Sequence, residues 1–437
     1  MTMDDRLRPW YHLTPPANWM NDPNGLIQWE GVYHLFYQYT PDGAFSGQKY
    51  WGHATSTDLV RWEHLPVALS PDPDSADEDG CWSGVAVVDG DRVAFIYSGN
   101  RDDKQRACVA YATDDSLGTW EKFAGNPVIA DVPDDLPITM YRDHSVWREG
   151  ETWFQVIGAG IAEVGGGALL YRSPNLIEWE YLGPILVEDP ARIAPEWKTN
   201  GWECPDFFAL GDRHVLTISL WGEELRVGFY SGSYTEFQFS PTNYGLLDSG
   251  MSFYAPQSFF EESGRRVMFG WLREECSAGL QLKHGWTGAM SLPRVLDVDA
   301  SGMLIQVVAP EVASLRGERI ALDFEPCDWF RRIDLGSFDV NTIEIESEWT
   351  WGDQGLIGIN LCSSSGEQER TVISLSMEDD ELIVDTSGAS LEPEARGRVS
   401  RSGLGLVEGE SVRVRVFVDV SVIEVVVNDR TWITSRV

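Results

Sequence analysis

Positive charge is scarce in this chain. Lys and Arg number 33 against 69 Asp and Glu, a net charge of −36 over 437 residues. Such a field repels nucleic acid and anionic membrane surfaces, and no basic patch offsets it, so neither is expected as a partner. Long apolar runs are missing as well, with nothing approaching the roughly 18 residues of a membrane helix. Helical periodicity is nearly absent. The six cysteines (Cys81, Cys108, Cys204, Cys276, Cys327 and Cys362) are scattered, with no CxxC or Cys/His spacing that would suit zinc. Residues Met1 to Asp5 carry neither the basic nor the apolar stretch of a signal peptide. The expectation is a cytoplasmic protein with free thiols, or a secreted one already trimmed of its leader.

Tryptophan, by contrast, is abundant at 19 residues, and indole rings both stack on sugar faces and fill β-cores. One pattern recurs along the chain: a turn, an apolar strand, a Gly or Asp-Gly hairpin, an aromatic-rich strand, a small-residue strand, and an Asp-containing turn ending on an aromatic. The closing aromatics Trp62, Trp120, Trp179 and Phe237 stand roughly 58 to 59 residues apart. Repeats of about 40 to 60 residues with four short strands each are the signature of a β-propeller. Five repeats fill the chain from about residue 10 to 300. After Pro310 the texture becomes alternating, as in Thr342-Ile343-Glu344-Ile345-Glu346 and Val412-Arg413-Val414-Arg415-Val416, with an Asn428-Asp429 hairpin signal. Alternation of this kind predicts half-buried antiparallel strands. The expected fold is all-β: a five-bladed propeller over residues 1–308, a linker at 309–322 and a β-sandwich over 323–437.

In a propeller, the segments that lead into the innermost strands line one end of the central funnel. Here they read Asn21-Asp22-Pro23-Asn24, Trp82-Ser83, Tyr141-Arg142-Asp143-His144, Trp202-Glu203-Cys204-Pro205-Asp206 and Tyr254-Ala255-Pro256-Gln257. The first belongs to Trp19-Met20-Asn21-Asp22-Pro23-Asn24-Gly25, whose Asn, Asp, Pro and Gly predict a tight turn feeding a strand. A lone acid at such a point is more often structural than catalytic. Three of five segments carry one, and three carboxylates facing one axis are an expensive way to build a core. Two carboxyl groups flanking a scissile bond are the minimum for glycoside hydrolysis. Glu203, between Trp202 and Cys204, fits a proton donor in a less polar spot. Asp22, on its turn beside Asn21, suits a nucleophile. Arg142 is expected to keep Asp143 ionised, for binding sugar hydroxyls and facing an oxocarbenium-like charge.

These segments, together with Phe36-Tyr37-Gln38-Tyr39, Trp51-Gly52-His53-Ala54-Thr55-Ser56, Gly270-Trp271 and Asp419-Val420-Ser421-Val422-Ile423-Glu424, resemble glycoside hydrolase family 32, the β-fructofuranosidases, nearly end to end. The resemblance implies a retaining mechanism through a fructosyl–enzyme intermediate, with Asp22 as nucleophile, Glu203 as acid/base and Asp143 as transition-state stabiliser. It places Trp19, Asn21, Gln38, Phe45, Trp51, Trp82, Ser83, Arg142 and Trp271 around the fructose, and implies no metal or organic cofactor. The expected activity is exo-hydrolysis of terminal β-fructofuranosides in sucrose, fructo-oligosaccharides or fructans. The alternatives are a fructosyltransferase, including one that closes a difructose dianhydride, and a non-catalytic fructan-binding protein. A monomer and a homodimer are both compatible with the sequence. Two positions depart from the family's pattern: His144 follows the Arg-Asp pair where Pro is usual, and Phe45 stands where many relatives have a pocket Trp.

Overall fold

The computed structural model describes residues 5–189, 198–322, 341–350, 356–362, 366, 368–395, 397–406 and 409–437. The expected sandwich boundary at 323, and Cys327, lie outside these residues.

Five antiparallel sheets begin with the strands Asn18–Trp29, Gly80–Asp89, Ile138–Glu149, Gly201–Leu210 and Phe253–Phe260. Each of these inner strands neighbours the next, and the fifth returns to the first, so the sheets close into the expected five-bladed propeller. Ring closure is sealed by main-chain pairing: Trp286-Thr287 runs parallel to Asn18-Trp19 and adds a fifth strand to blade one. Side-chain amides knit the inner strands together where neighbouring backbones cannot pair. The Asn24 carboxamide oxygen accepts the Gly84 N–H at 3.2 Å, and Gln257 bonds Leu26 N–H and the Gly84 carbonyl at 3.1 and 3.0 Å. Helix was not expected from the sequence, yet Ala278–His284 forms one, capped by Ser277 and stopped by Gly285 at φ 78°.

The recurring Asp-to-Trp turn is a lock. In blade one, Asp58 Oδ1 accepts the N–H groups of Val60 and Arg61 at 3.1 and 2.8 Å. In blade three, Asn175 Oδ1 does the same for Ile177 and Glu178 at 3.1 and 2.9 Å. The turn drives Leu59, Leu117 and Leu176 to φ of 63°, 54° and 64° with their side chains buried. Trp62, Trp120 and Trp179 then donate Nε1–H to those leucine carbonyls at 3.1, 3.0 and 2.8 Å. Phe237 keeps the spacing but has no such donor. It sits in the hairpin between Arg226–Thr235 and Gln238–Asp248 and lies against Phe154.

The C-terminal residues form two four-stranded sheets, with Thr342–Thr350, Ser411–Asp419, Val422–Val427 and Thr431–Arg436 in one and Leu356–Leu361, Thr371–Ser376, Glu381–Asp385 and Val399–Gly403 in the other. Alternate residues such as Val414, Val416 and Val425 from the first sheet meet Ile373, Leu375 and Leu382 from the second, which is sandwich packing. The Asn428-Asp429 turn has φ of 51° and 56°, as a tight hairpin turn requires. Within the stretch read as a linker, Pro310–Leu315 makes a 3-10 turn whose Val312 packs with Val308, Phe417 and Trp432.

A buried ionic network joins the two units. His12 Nδ1 and Nε2 lie 2.8 and 3.1 Å from Asp419 and Glu424, and Arg294 Nη2 lies 2.9 and 2.7 Å from Asp248 and Glu424, all with fully buried side chains. Burial alone would lower the His12 pKa, but its two carboxylate partners outweigh that and lift it to about 9. Burial pushes Glu424 up, and Arg294 and His12 outweigh it, holding the carboxyl at about 2. The stability His12 contributes is therefore complete below its ordinary 6.5 and is lost as pH rises through about 9. That of Glu424 is complete above its ordinary 4.5 and is lost as pH falls toward about 2. Replacing His12 by Leu leaves buried Asp419 with backbone donors only and Glu424 with Arg294 as its cation, with an expected cost of about 3–5 kcal/mol. Denaturant unfolding at pH 6 and pH 10 checks this: the variant's deficit should be large at pH 6 and much smaller at pH 10.

Candidate active site

At one height in every blade, the inner strand carries one residue more than its partner. Asn21 and Asp22 both oppose Gln38, between the pairs Met20–Tyr39 and Pro23–Tyr37. Trp82 and Ser83 oppose Ser98, Cys204 and Pro205 oppose Ile218, and Ala255 and Pro256 oppose Gly270. In blade three Asp143 is the extra residue, between Arg142–Gly158 and His144–Ile157. A bulge of this kind re-aims side chains out of the alternating pattern, here toward the axis. The stretch Trp19–Gly25 is therefore bulged strand, not the turn its composition predicts. Asp143, Cys204 and Ala255 take φ of 64°, 44° and 48°, conformations that cost a non-glycine residue about 1–3 kcal/mol each. Hydroxyls of the preceding blade hold two of them: Ser98 Oγ accepts the Asp143 N–H at 2.9 Å and Ser219 Oγ accepts the Ala255 N–H at 3.1 Å.

The five bulges bring the three predicted acids together. Asp22 is gripped on both oxygens, with Asn21 donating to Oδ1 at 3.1 Å and the Ser83 hydroxyl donating to Oδ2 at 2.6 Å. Gln38 ties these donors to each other: its amide accepts from Asn21 at 2.9 Å and donates to Ser83 at 2.7 Å. Trp19 fixes the Asn21 amide by donating Nε1–H to its oxygen at 2.6 Å. The Cys204 thiol spans the gap between two acids, 3.7 Å from Asp22 Oδ2 and 3.4 Å from Asp143 Oδ2, while its N–H donates to Asp143 Oδ2 at 2.9 Å. Burial first, then the surrounding carboxylates, push the Cys204 pKa well up, so it remains a thiol. Glu203 is held by Arg142 through Nε and Nη2 at 3.0 and 2.7 Å on one oxygen, and by the Tyr254 hydroxyl at 2.7 Å on the other.

Two expectations about the acids are corrected by these contacts. Arg142 is engaged by Glu203 and does not keep Asp143 ionised. Burial, then the charge of Glu203, lift Asp143 to about 7, with Asp22 adding to the rise and Arg142 only opposing it. Nor does Trp202 line the surroundings of Glu203: it is fully buried and packs with Phe154, Phe207 and Tyr230 between blades three and four.

Among the aromatic residues, Trp82 and Trp271 are part-buried at the site, Trp82 with the Arg142 guanidinium 5.6 Å from its ring and Trp271 5.9 Å from Trp19. Trp51 does not reach the pocket surface. It is wholly buried against Phe36, Phe95 and Tyr97, and its indole N–H holds the Trp82 carbonyl at 3.1 Å, so it supports the wall from behind. Phe45 is 43 % exposed, its ring folded over Gly43 and Gly47. Sequence reasoning gave no role to Tyr254, although it sits at the height of the acids in its repeat. It also missed Lys49, whose ammonium lies 5.0 Å from the Trp19 ring and whose pKa burial lowers to about 8 against the pull of Asp22.

His144 is turned away from the acids. Its Nδ1 lies 3.1 Å from Gln155 Oε1 and its Nε2 lies 3.2 Å from Ser98 Oγ, the atom that holds the Asp143 backbone. Burial lowers its pKa to about 4, so the ring is neutral and braces Ser98. Proline at this position would remove the brace and push the preceding residue toward extended backbone, away from the φ of 64° that Asp143 holds. His144→Pro is expected to lower kcat/KM by about 10- to 100-fold through misplacement of Asp143. Steady-state kinetics of the variant, alongside its melting temperature, test this; an unchanged rate would mean that neither the ring nor the backbone angle matters.

Two family models match the chain in sequence: the glycosyl hydrolases family 32 N-terminal domain over residues 12–307, and the family 32 C-terminal domain over 311–437. The chain belongs to glycosyl hydrolase family 32. It is thus a glycoside hydrolase, as the paired carboxyl groups of the site lead one to expect. Among its family 32 relatives, a sucrose-6-phosphate hydrolase of Escherichia coli is 35 % identical, covering 98 % of this chain and 88 % of that protein. A raffinose invertase of Escherichia coli is 34 % identical over 98 % of this chain and 89 % of its own length. In structure, fructan 1-exohydrolase IIa of Cichorium intybus superposes with a TM-score of 0.81 at 26 % identity, over 100 % of this chain and 92 % of the other.

Proposed function

We propose that this family 32 enzyme is a retaining, exo-acting β-fructofuranosidase that cleaves terminal β-D-fructofuranosyl units from sucrose, fructo-oligosaccharides or fructans. The observation that carries this reading is the convergence of Asp22, Asp143 and Glu203 on bulges of three blades, with one thiol touching both aspartates and a separate clamp on the glutamate. The names of the relatives, which cleave fructose-containing sugars, agree with it.

In this mechanism Asp22 attacks the anomeric C2 of a bound fructose while the C2–O bond to the leaving group breaks. The donors Asn21 and Ser83 fix the carboxylate for that attack, which is pre-organisation rather than activation. Glu203, oriented by Arg142 and Tyr254, gives its proton to the leaving oxygen. Asp143 accepts bonds from fructose hydroxyls and faces the positive charge that develops at the ring. In the second half Glu203 takes a proton from water, the hydroxide oxygen bonds to C2, and the ester to Asp22 breaks to release fructose.

The test is a product analysis. The purified protein is incubated separately with sucrose, inulin and levan, and early products are resolved by anion-exchange chromatography. Free fructose as the first product supports exo-hydrolysis. Longer oligomers or a difructose dianhydride would instead make the enzyme a fructosyltransferase, and binding without turnover would make it a fructan-binding protein.

A further inference from the structure

We propose that Lys49 is a positioning residue for the nucleophile, its buried ammonium setting Trp19 and, through Trp19, the Asn21 amide that aims Asp22. This rests on the reading of Asp22 as the nucleophile.

Lys49 ends the connection between the second and third strands of blade one, Val32–Thr40 and Tyr50–Ser56. Its main chain is tied to blade two: Lys49 bridges Gly80 in parallel, and its carbonyl accepts the Cys81 N–H at 2.8 Å. Two residues beyond Cys81 stands Ser83, which donates to Asp22. Its side chain serves the inner strand of blade one. Nζ lies 3.0 Å from Ser46 Oγ, 3.4 Å from Thr40 Oγ1 and 5.0 Å from the Trp19 ring, and Thr40 is the ladder partner of Trp19. An ammonium so close to an indole is held by the ring's π-electrons. Trp19 in turn fixes which way the Asn21 amide faces. Because the indole N–H takes the amide oxygen, the amide NH2 is left for Asp22 and Gln38. With Trp19 displaced, that amide can rotate and present its oxygen to the carboxylate. One residue thus reaches both donors of the nucleophile, Ser83 through its main chain and Asn21 through its side chain.

Packing alone does not call for a charge here. Lys49 is 7 % exposed, and a methionine would fill the same space without the penalty of burying an ammonium. Both of its hydrogen-bond partners are hydroxyls, and among the described residues no carboxylate pairs with it. Asp42 on its own loop is exposed, Glu78 pairs with Arg101 at 3.3 Å, and Asp79 accepts the Asp102 N–H at 2.8 Å. Asp22 is the acid that supports the ammonium against burial. Such attraction is mutual, so the ammonium draws on the carboxylate as strongly as the carboxylate draws on it. No other cation offers Asp22 this. Arg142 is spent on Glu203, Asp143 is a second acid, and burial keeps both the Cys204 thiol and the Tyr254 hydroxyl neutral.

The experiment measures kcat and KM on sucrose between pH 6 and 10 for the wild type, Lys49→Met and Lys49→Arg, with a melting curve for each. Lys49→Met should lose about 10- to 100-fold in kcat at pH 7 with KM little changed, the scale of a misaimed reacting group. The wild type should lose activity as pH rises through about 8, where the ammonium gives up its proton. That fall should be missing in Lys49→Met, and Lys49→Arg should move it to higher pH, because a guanidinium stays charged throughout. A merely structural lysine would lower the melting temperature and leave the alkaline fall in place. Lys49→Met within threefold of wild type at pH 7, or the same alkaline fall in wild type and variants, overturns the proposal while leaving fructoside hydrolysis intact. Should Lys49→Met show no folding transition, Lys49→Arg decides alone: a displaced fall supports the proposal and an unmoved one overturns it. A wild type that cleaves no fructoside removes the catalytic reading, and the role of Lys49 falls with it.

Discussion

Asp22→Asn should lower kcat/KM on sucrose by about ten-thousand-fold or more, the scale on which loss of a catalytic nucleophile is usually felt. The substitution is nearly isosteric, and the surrounding net can absorb it. Ser83 already accepts from Gln38 and its hydroxyl proton can reorient, while Asn21 can still reach the carbonyl oxygen at the Oδ1 position. The fold should therefore persist, with a melting temperature within a few degrees of wild type, so that the rate loss reports chemistry. Kinetics and a thermal scan on the same preparation decide the matter. Activity within tenfold of wild type would take Asp22 out of its role.

Glu203→Gln should cost about a thousand-fold on sucrose, in the range of removing a general acid. Its signature is dependence on the leaving group: 4-nitrophenyl β-D-fructofuranoside, whose leaving oxygen needs no proton, should lose far less in the first step. Tyr254 can still donate to the amide oxygen, but Arg142 would face an amide instead of a carboxylate, so a modest loss of stability accompanies the change. The acids also predict a pH profile. Burial and mutual repulsion let the cluster keep one proton up to about pH 7, the value to which Asp143 is lifted. Below that pH Asp143 carries the proton and cannot face the developing positive charge as a carboxylate, so kcat/KM on sucrose should rise as pH approaches 7. Equal losses on both substrates would contradict the assignment of Glu203.

The architecture was largely legible because it is written in local chemistry repeated at a fixed period. In three blades Asp58, Asp114 and Asn175 start turns, Leu59, Leu117 and Leu176 absorb the left-handed backbone, and Trp62, Trp120 and Trp179 lock it, so the period of the repeat is written in the sequence. The positions of the acids were legible for the same reason, since each occupies one point of the repeat. What escaped reading is what arises between blades. Arg142 sits beside Asp143 in sequence but binds Glu203 of the next blade, because the bulge at Asp143 swings the two side chains apart. Trp51 looked like a pocket residue by its motif, yet strand alternation turns its ring into the core. His144, marked in the sequence only as a departure from the family's pattern, points away from the acids at Ser98 and Gln155, contacts that a single motif does not announce. The helix Ala278–His284 is short and carries a single buried residue, Leu280, which leaves too little periodicity to read.

The most direct measurement of the central claim is the stereochemistry of transfer to methanol. The enzyme is incubated with sucrose in dilute aqueous methanol, and the methyl fructosides formed are identified by NMR, since methyl glycosides do not mutarotate. Attack by Asp22 followed by attack of methanol on the fructosyl ester inverts C2 twice, so the account predicts methyl β-D-fructofuranoside alongside free fructose. Methyl α-D-fructofuranoside would show a single displacement and contradict it.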